Sequence, residues 1–560
     1  MTHLLLMGSL VILACILCNR LTSRFGIPML LAFILLGMVF GSEGLFRIPF
    51  DNFRFAENIC TTALVFIMFY GGFGTRWKAA RPAAAKAVLM SCAGTVITAV
   101  LTGAFCHLVL GFSLLEGLLT GAVLGSTDAA SVFSVLRSRN LSLKYSTDSL
   151  LEVESGSNDP FAYMLTILLL SVMGGNTPVP GFPPTTATGP GPGPGLEAVS
   201  LSLSGLPMLI LKTAAAQVFF GLLCGILLAL GARFFLEHYK FETSGFDTAF
   251  MLAAALLSYA LPSAVGGNGY LSAYLMGILL GNSPLHNKRT LVNFFDGLTS
   301  LMQMLIFFML GLLSFPSRIL AVWFPALATA LFLTLVARPL ATGLLLTPLK
   351  SPLRQQLLVS WAGLRGAASI VFAIMATLSG VPLEHDLFHL VFCVVLLSIS
   401  IQGTLLPWFT RKTCMLDESG DILTTFNDYT DEGDIRFIDI PIRPGNPWIG
   451  KQVSQLNLPP GTLLVFLRRA SRNLIPNGST VIHLEDVLVL GASAYTGQDD
   501  IHLTEIAITG THHWCGKKIH ELNLPRNSLI ILIRRAGETL IPNGHTQVLA
   551  GDMVVLNTVR

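Results

Sequence analysis

The chain has 560 residues, 52% of them hydrophobic and 12% charged, where an ordinary soluble domain carries about 25% charged residues. That composition excludes a single water-soluble globule, and a net charge of +3 with no basic block excludes nucleic acid as a partner. Nine cysteines, without a CxxC pair or regular spacing, give neither a disulfide framework nor a zinc site.

The 67 charged residues divide about 37 to 30 between residues 1–410 and the last 150, so a membrane region precedes a soluble tail. The N-terminus opens directly into an apolar run without a small-residue cleavage site, which reads as a first span and not as a removable signal. Apolar stretches of membrane-spanning character recur near 3–19, 27–43, 58–75, 85–110, 113–136, 149–174, 206–232, 246–262, 267–283, 299–315, 319–346, 356–379 and 387–409, about thirteen in all. Odd-numbered connections hold about 17 basic residues, among them Arg76, Lys78, Arg233, Lys288, Arg289, Arg411 and Lys412. The even-numbered ones hold about four: Arg47, Arg54, Lys212 and Arg318. Since Lys and Arg collect on the cytoplasmic side, the N-terminus is expected outside and the tail in the cytoplasm. The Pro- and Gly-rich stretch 176–195 then reads as a disordered external loop.

Ionisable groups inside a bilayer are expensive and mark functional sites by default. Three clusters stand out: GSTDAAS (125–131) in the fifth span, ESGSNDP (154–160) in the sixth, and GLRGAAS (363–369) in the twelfth. Asp128, Asp159 and Arg365 each lie about ten to fifteen residues from a span end, roughly 15–22 Å along a helix, which brings them near the midplane of a core about 30 Å thick. Glu152, Ser155 and Asp159 share one helical stripe and Glu154 and Asn158 the next, while Pro160 frees or kinks the backbone near residue 156. An acidic stripe beside a freed carbonyl suits a dehydrated cation. Glu152 itself reads as solvated at the inner interface, outside the main site. The pattern Gly-x-x-x-Ala-Ala-Ser recurs seven spans apart, hence in opposite orientation, pointing to inverted repeats of spans 1–6 and 8–13 with broken helices crossing at a binding site.

On these three motifs, residues 1–410 resemble the NhaP-type branch of the bacterial monovalent cation/proton antiporters. The resemblance implies an all-α polytopic membrane protein with inverted repeats and crossed broken helices, of the NhaA-like antiporter fold. It implies a secondary antiporter of the cell membrane, not an enzyme, acting in pH homeostasis and cell volume regulation. It would exchange K+ or Na+ for protons by alternating access, with no cofactor, no metal beyond the transported ion, and a homodimer as its assembly. By the same resemblance Asp159 carries proton or cation, Asn158 and Ser155 shape the site, Thr127 and Asp128 complete it, and Glu154 forms a structural ion pair with Arg365. With Asn158 where a second carboxylate can stand, one proton per cation, hence electroneutral exchange, is implied. One departure concerns the third span, where Tyr70 stands in Phe69–Phe73 at a position that many relatives fill with Glu; Tyr70 is a candidate gate.

The residues support the same chemistry without the name. A carboxylate at that depth can give up its proton and take a cation instead. If proton and cation exclude each other, and only an occupied site re-faces the other side, exchange follows. A tail-gated cation channel is the first alternative, although no TVGYG-like carbonyl filter is present. An intramembrane aspartyl protease using Asp128 and Asp159 is a remote one, because the contexts STDA and SNDP lack the GxGD pattern.

After an acidic linker over 411–435 the chain repeats itself: the segment from Gly450 aligns without gaps to that from Gly516, with about 19 of 42 pairs identical. Each copy, within 436–495 and 502–560, reads as a small α+β module of strand, short helix, Leu-Pro turn, strand, Pro-Asn-Gly turn and closing strand. LNLP and LIPNG give each copy a resemblance to the TrkA C-terminal domain, implying cytoplasmic regulation and favouring K+ as the cation. Arg468, Arg469, Arg534 and Arg535 are candidates for holding a small anionic regulatory ligand. No GxGxxG follows a strand, so no nucleotide is implied.

Overall fold

The computed structural model describes residues 8–17, 29–138, 141–174, 206–239, 245–285, 287–416 and, apart from short loop stretches, 435–558. The expected external loop at 176–195 lies outside the described residues, as does most of the acidic linker. The chain divides into two compact units, Met1–Tyr429 and Thr430–Arg560.

In the first unit a helical element falls on each of the thirteen apolar segments. Among the described residues, seven helices are long and apolar enough to cross a membrane: Phe53–Gly74, Trp77–Leu110, Ile210–His238, Phe246–Ala264, Lys288–Leu313, Pro316–Leu346 and Leu387–Lys412. Gly8–Leu17, Met29–Phe40 and Gly269–Gly281 are shorter, and Thr147–Val172 carries the acidic motif. The fifth and twelfth segments are each broken in two, as Leu114–Val123 with Ala129–Ser138 and as Leu353–Trp361 with Ala367–Leu378.

Local chemistry fixes the helix ends. Asn52, Ser113, Asn268 and Asp386 each accept a backbone N–H from the first turn that follows, satisfying donors that a helix start leaves open. Gly111, at φ +78, closes Trp77–Leu110 in the left-handed conformation that glycine takes without strain. Phe53–Gly74 packs backbone to backbone on Gly269–Gly281. A Cβ on Gly72 would run into the Tyr274 carbonyl, and one on Gly277 into that of Phe69. Small residues at such contacts are the membrane solution to close helix packing. A large apolar cluster from Ala63, Leu64, Phe307, Phe372 and Val391 then surrounds the broken helices with buried side chains.

Among its described residues the second unit holds two four-stranded antiparallel sheets. The first contains β1 (Ile435–Pro441), β2 (Thr462–Arg469), β3 (Arg472–Leu474) and β4 (Val487–Ser493) in the order β1-β4-β2-β3. The second contains β5 (His502–Ala507), β6 (Ser528–Arg535), β7 (Glu538–Leu540) and β8 (Met553–Thr558) in the order β5-β8-β6-β7. Duplication reaches into detail. The register shifts between Leu464 and Phe466 in β2 and between Ile530 and Leu532 in β6, which are equivalent places in the two copies. Leu464, Leu467, Ile482, Leu488 and Leu490 of one core match Ile530, Ile533, Val548, Val554 and Leu556 of the other. The short helix expected in each copy is a single 3-10 turn, Val453–Gln455 and Ile519–Glu521. The short strands β3 and β7 are not legible in the sequence, because three residues are too few to show a period.

Candidate functional site

The two helix breaks meet each other. The Asp128 N–H donates to the Leu364 carbonyl at 2.8 Å, and a Cβ on Gly366 would collide with the Asp128 side chain, so only glycine permits this crossing. Asp128 caps the second half-helix: its carboxylate accepts from the Ser131 N–H at 3.1 Å and from the Ser131 hydroxyl at 2.5 Å. A carboxylate there also suits the positive end of the helix dipole.

Thr147–Val172 lies against this crossing and supplies the rest. Asn158 holds Thr127 within the break at two points, accepting from its N–H at 3.3 Å and donating to its hydroxyl at 2.5 Å. Ser155 donates to the Thr127 carbonyl at 2.7 Å and accepts from the Ala129 N–H at 2.8 Å. These bonds occupy backbone groups that the interrupted helix leaves open. Asp159 accepts a hydrogen bond from the Ser126 hydroxyl, with Asp128 and Arg365 as its charged neighbours. The structure thus brings Asp159, Asn158, Ser155, Asp128 and Thr127 into one constellation beneath the surface.

Arg365 corrects one expectation. It does not pair with Glu154; its guanidinium donates to the carbonyls of Gly125, at 3.1 Å, and Ser126, at 2.8 Å. Those carbonyls lie in the break just past the end of the first half-helix, where partial negative charge attracts a cation. Glu154 instead pairs with Arg338, and both side chains are buried. The physical reason is reach: Glu154 sits on the stripe next to Asp159 and meets Pro316–Leu346, whose last section carries Arg338. Arg338 is legible as a lone cation inside the apolar segment 319–346, the usual mark of a buried partner.

A cavity of about 380 Å3 opens onto Asp159 and Asp128. Tyr70 lines it and donates to Asp296 at 3.2 Å. Glu152, expected at the solvated interface, also lines the cavity and accepts from the Thr75 hydroxyl at 3.2 Å. Asp296 escapes the sequence reading because the tenth apolar segment starts at 299, whereas the helix begins at Lys288 and carries Asp296 inside it.

In the tail the paired arginines separate. Strand alternation leaves Arg468 exposed and turns Arg469 back onto its own module. Arg469 is held by Asp486 at 2.8 and 2.7 Å and by the Val481 carbonyl at 2.7 Å. Arg535 repeats this with Asp552, at 2.8 Å twice, and with the Gln547 carbonyl at 2.7 Å. Of the four arginines expected as candidates for a small anionic ligand, Arg469 and Arg535 are thus engaged within their own modules in bidentate pairs.

Crossed broken helices with buried carboxylates at the junction define an ion-coupled transporter, and the comparisons agree. Residues 9–412 match the sodium/hydrogen exchanger, transmembrane family, and residues 437–494 and 503–557 each match the TrkA-C domain. The chain is 34% identical over 499 residues to the K(+)/H(+) antiporter NhaP2 of Shewanella sp. (strain MR-4), covering 87% of this chain and 80% of the relative. It is 36% identical over 492 residues to the K(+)/H(+) antiporter NhaP of Alkalimonas amylolytica, with the same coverage. The structure of the sodium proton antiporter MjNhaP1 from Methanocaldococcus jannaschii at pH 8 shares its fold, with a TM-score of 0.59 at 21% identity over 72% of this chain and all of that one. The chain belongs to the sodium/hydrogen exchanger family. It is a multi-pass cation/proton antiporter of the NhaP type, a transporter and not an enzyme, whose substrates are the transported ions and which needs no cofactor.

Proposed function

We propose that this antiporter exchanges K+ for protons, one for one, by alternating access across the cell membrane, with Asp159 as the group that both ions neutralise. The observation that carries this reading is the setting of Asp159: a buried carboxylate on the wall of a cavity, beside the helix crossing, with the neutral amide of Asn158 as its sequence neighbour. Ser126, Thr127 and Ser155 surround it with hydroxyl and carbonyl oxygens, the hard donors that alkali cations accept. A single negative charge is neutralised by one proton or one cation, so the loaded carrier moves no net charge in either direction. An empty site would have to carry an uncompensated carboxylate through the protein, which is costly, and that cost ties movement to occupancy. Asp128 and Arg365 hold the two half-helices together at their open ends; their roles are positional.

The names of the NhaP relatives as K(+)/H(+) antiporters support K+ as the cation. The placement of basic connections supports an external N-terminus and a cytoplasmic tail, in which the TrkA-C modules regulate transport, with the exposed Arg468 as the contact for a small anion and the whole working as a homodimer.

The test uses proteoliposomes with an imposed pH gradient and a pH-sensitive dye. KCl is expected to collapse the gradient more effectively than NaCl, at a rate indifferent to membrane potential, and Asp159→Asn is expected to abolish the effect. Cation flux without proton movement would refute coupling; a rate that follows the potential would refute the one-for-one stoichiometry.

A further inference from the structure

Lys288–Leu313 is a largely apolar helix that carries a polar stripe through its middle. Asp296, Thr299, Ser300 and Gln303 follow one another at i, i+3, i+4 and i+7, the spacing of a single helical face, and all four line the cavity that reaches Asp159. An apolar helix in a membrane protein has no reason to present such a stripe to the interior unless something polar occupies the space beside it. Thr299 is satisfied within its own helix, its hydroxyl returning to the Phe295 carbonyl at 2.8 Å. That leaves a carboxylate, a serine and a glutamine on the same wall.

A second observation is independent of that helix. The Tyr274 hydroxyl, on Gly269–Gly281, is buried and lines the same cavity, with Ser157, Thr75 and Glu152 as its polar neighbours. Gly156 makes room for its ring, since a Cβ there would collide with it. Its oxygen keeps a lone pair for a cation or its water on the cavity side.

We propose that Asp296, with Ser300, Gln303 and the Tyr274 hydroxyl, forms a second cation station, an entry site that concentrates a partly hydrated alkali cation before it moves on to Asp159. This rests on the cation/proton exchange proposed above. Asp296 supplies the charge, and serine, glutamine and tyrosine oxygens replace part of the hydration shell. Tyr70 is the latch: its hydroxyl donates to Asp296 at 3.2 Å, occupying a carboxylate oxygen that an arriving cation competes for. The third span thus takes part through a neutral donor, and the negative charge sits on the tenth. The station adds to affinity and leaves the coupling at Asp159 unchanged.

The experiment compares wild type, Asp296→Asn, Asp296→Glu, Tyr70→Phe and the double variant Tyr70→Phe/Asp296→Asn in proteoliposomes, varying KCl and reading proton movement. Asp296→Asn is expected to raise the half-saturating KCl concentration roughly five-fold, the scale of one charge acting across a partly hydrated cavity, with the maximal rate within about two-fold of wild type. Asp296→Glu should restore most of the affinity. Tyr70→Phe should lower the half-saturating concentration, and that gain should vanish in the double variant, because the latch acts only through Asp296. A fall in maximal rate at unchanged half-saturation, or a Tyr70→Phe effect that persists in the double variant, overturns the station. If Asp296→Asn does not fold, Tyr70→Phe carries the test, and an unchanged half-saturating concentration in it overturns the station equally. A wild type without cation-dependent proton movement would instead overturn the exchange reading on which the station rests.

Discussion

Replacing Arg338 by methionine tests the buried ion pair directly. Methionine keeps most of the length and apolar volume of the arginine stem but leaves the Glu154 carboxylate without its partner, in a position where the side chains are 2% and 1% exposed. Removing one member of a buried pair costs about 3–5 kcal/mol, because the remaining charge has neither water nor counter-ion. Replacing both, as Arg338→Met with Glu154→Leu, removes the stranded charge and should recover most of that loss. The double-mutant cycle is therefore expected to give a coupling of about 3 kcal/mol, against about 1 kcal/mol or less for a Glu154/Arg365 cycle, where no direct contact exists. The assay is the apparent unfolding temperature of the detergent-solubilised full chain, with denaturant titration to place the differences on an energy scale. A Glu154/Arg338 coupling below about 1 kcal/mol, or a larger one for Glu154/Arg365, would refute the pairing and the geometry drawn from it.

Three further outcomes are expected. Gly366→Ala should cut exchange more than roughly ten-fold without unfolding the protein, because its methyl group meets Asp128 at the crossing, whereas Gly343→Ala, with open space around its Cα, should transport normally in the same proteoliposome assay. Leu467→Ala and Ile533→Ala, both fully buried at equivalent positions of the two modules, should each cost about 2–5 kcal/mol, read by hydrogen exchange across the module concerned; protection unchanged in either would argue against the duplicated cores. Hydrogen bonds from Arg535 hold the Asp552 carboxyl below the usual carboxylate range, with burial opposing. The stability this lends is complete above about pH 4, the ordinary Asp value, and is lost as pH falls through the lower folded value. Hydrogen exchange of residues 503–557 in the full chain should accelerate in that acid window, and Arg535→Ala should remove the step.

What the sequence discloses depends on whether the signal is local. Hydropathy places a helical element on all thirteen apolar segments, and the motifs pick out Asp128, Asp159, Asn158, Ser155 and Thr127, because a charge in an apolar run is conspicuous wherever it folds. Pairing is less legible. Glu154 has two buried arginines in the same unit, and only the approach of Pro316–Leu346 to Thr147–Val172 decides for Arg338. Asp296 is lost to a boundary: a hydropathy window stops at the first carboxylate, although the helix runs on through it. In the tail, an Arg-Arg pair looks like one patch in a sequence, but a strand sends consecutive side chains to opposite faces, which is why Arg469 and Arg535 are spoken for by Asp486 and Asp552.

The bonds from Arg365 to the carbonyls of Gly125 and Ser126 join residues 240 and 239 positions apart in the chain. During synthesis at about 5–20 residues per second, the first broken helix therefore emerges roughly 12–48 s before the arginine that closes its open end. Over that interval the nascent chain holds an interrupted helix with uncapped carbonyls and a buried-to-be Asp128 whose crossing partner is not yet made. Insertion of the first six segments must tolerate an unfinished junction, and a chain released before Arg365 would contain every carboxylate of the candidate site and lack the cation that holds it shut.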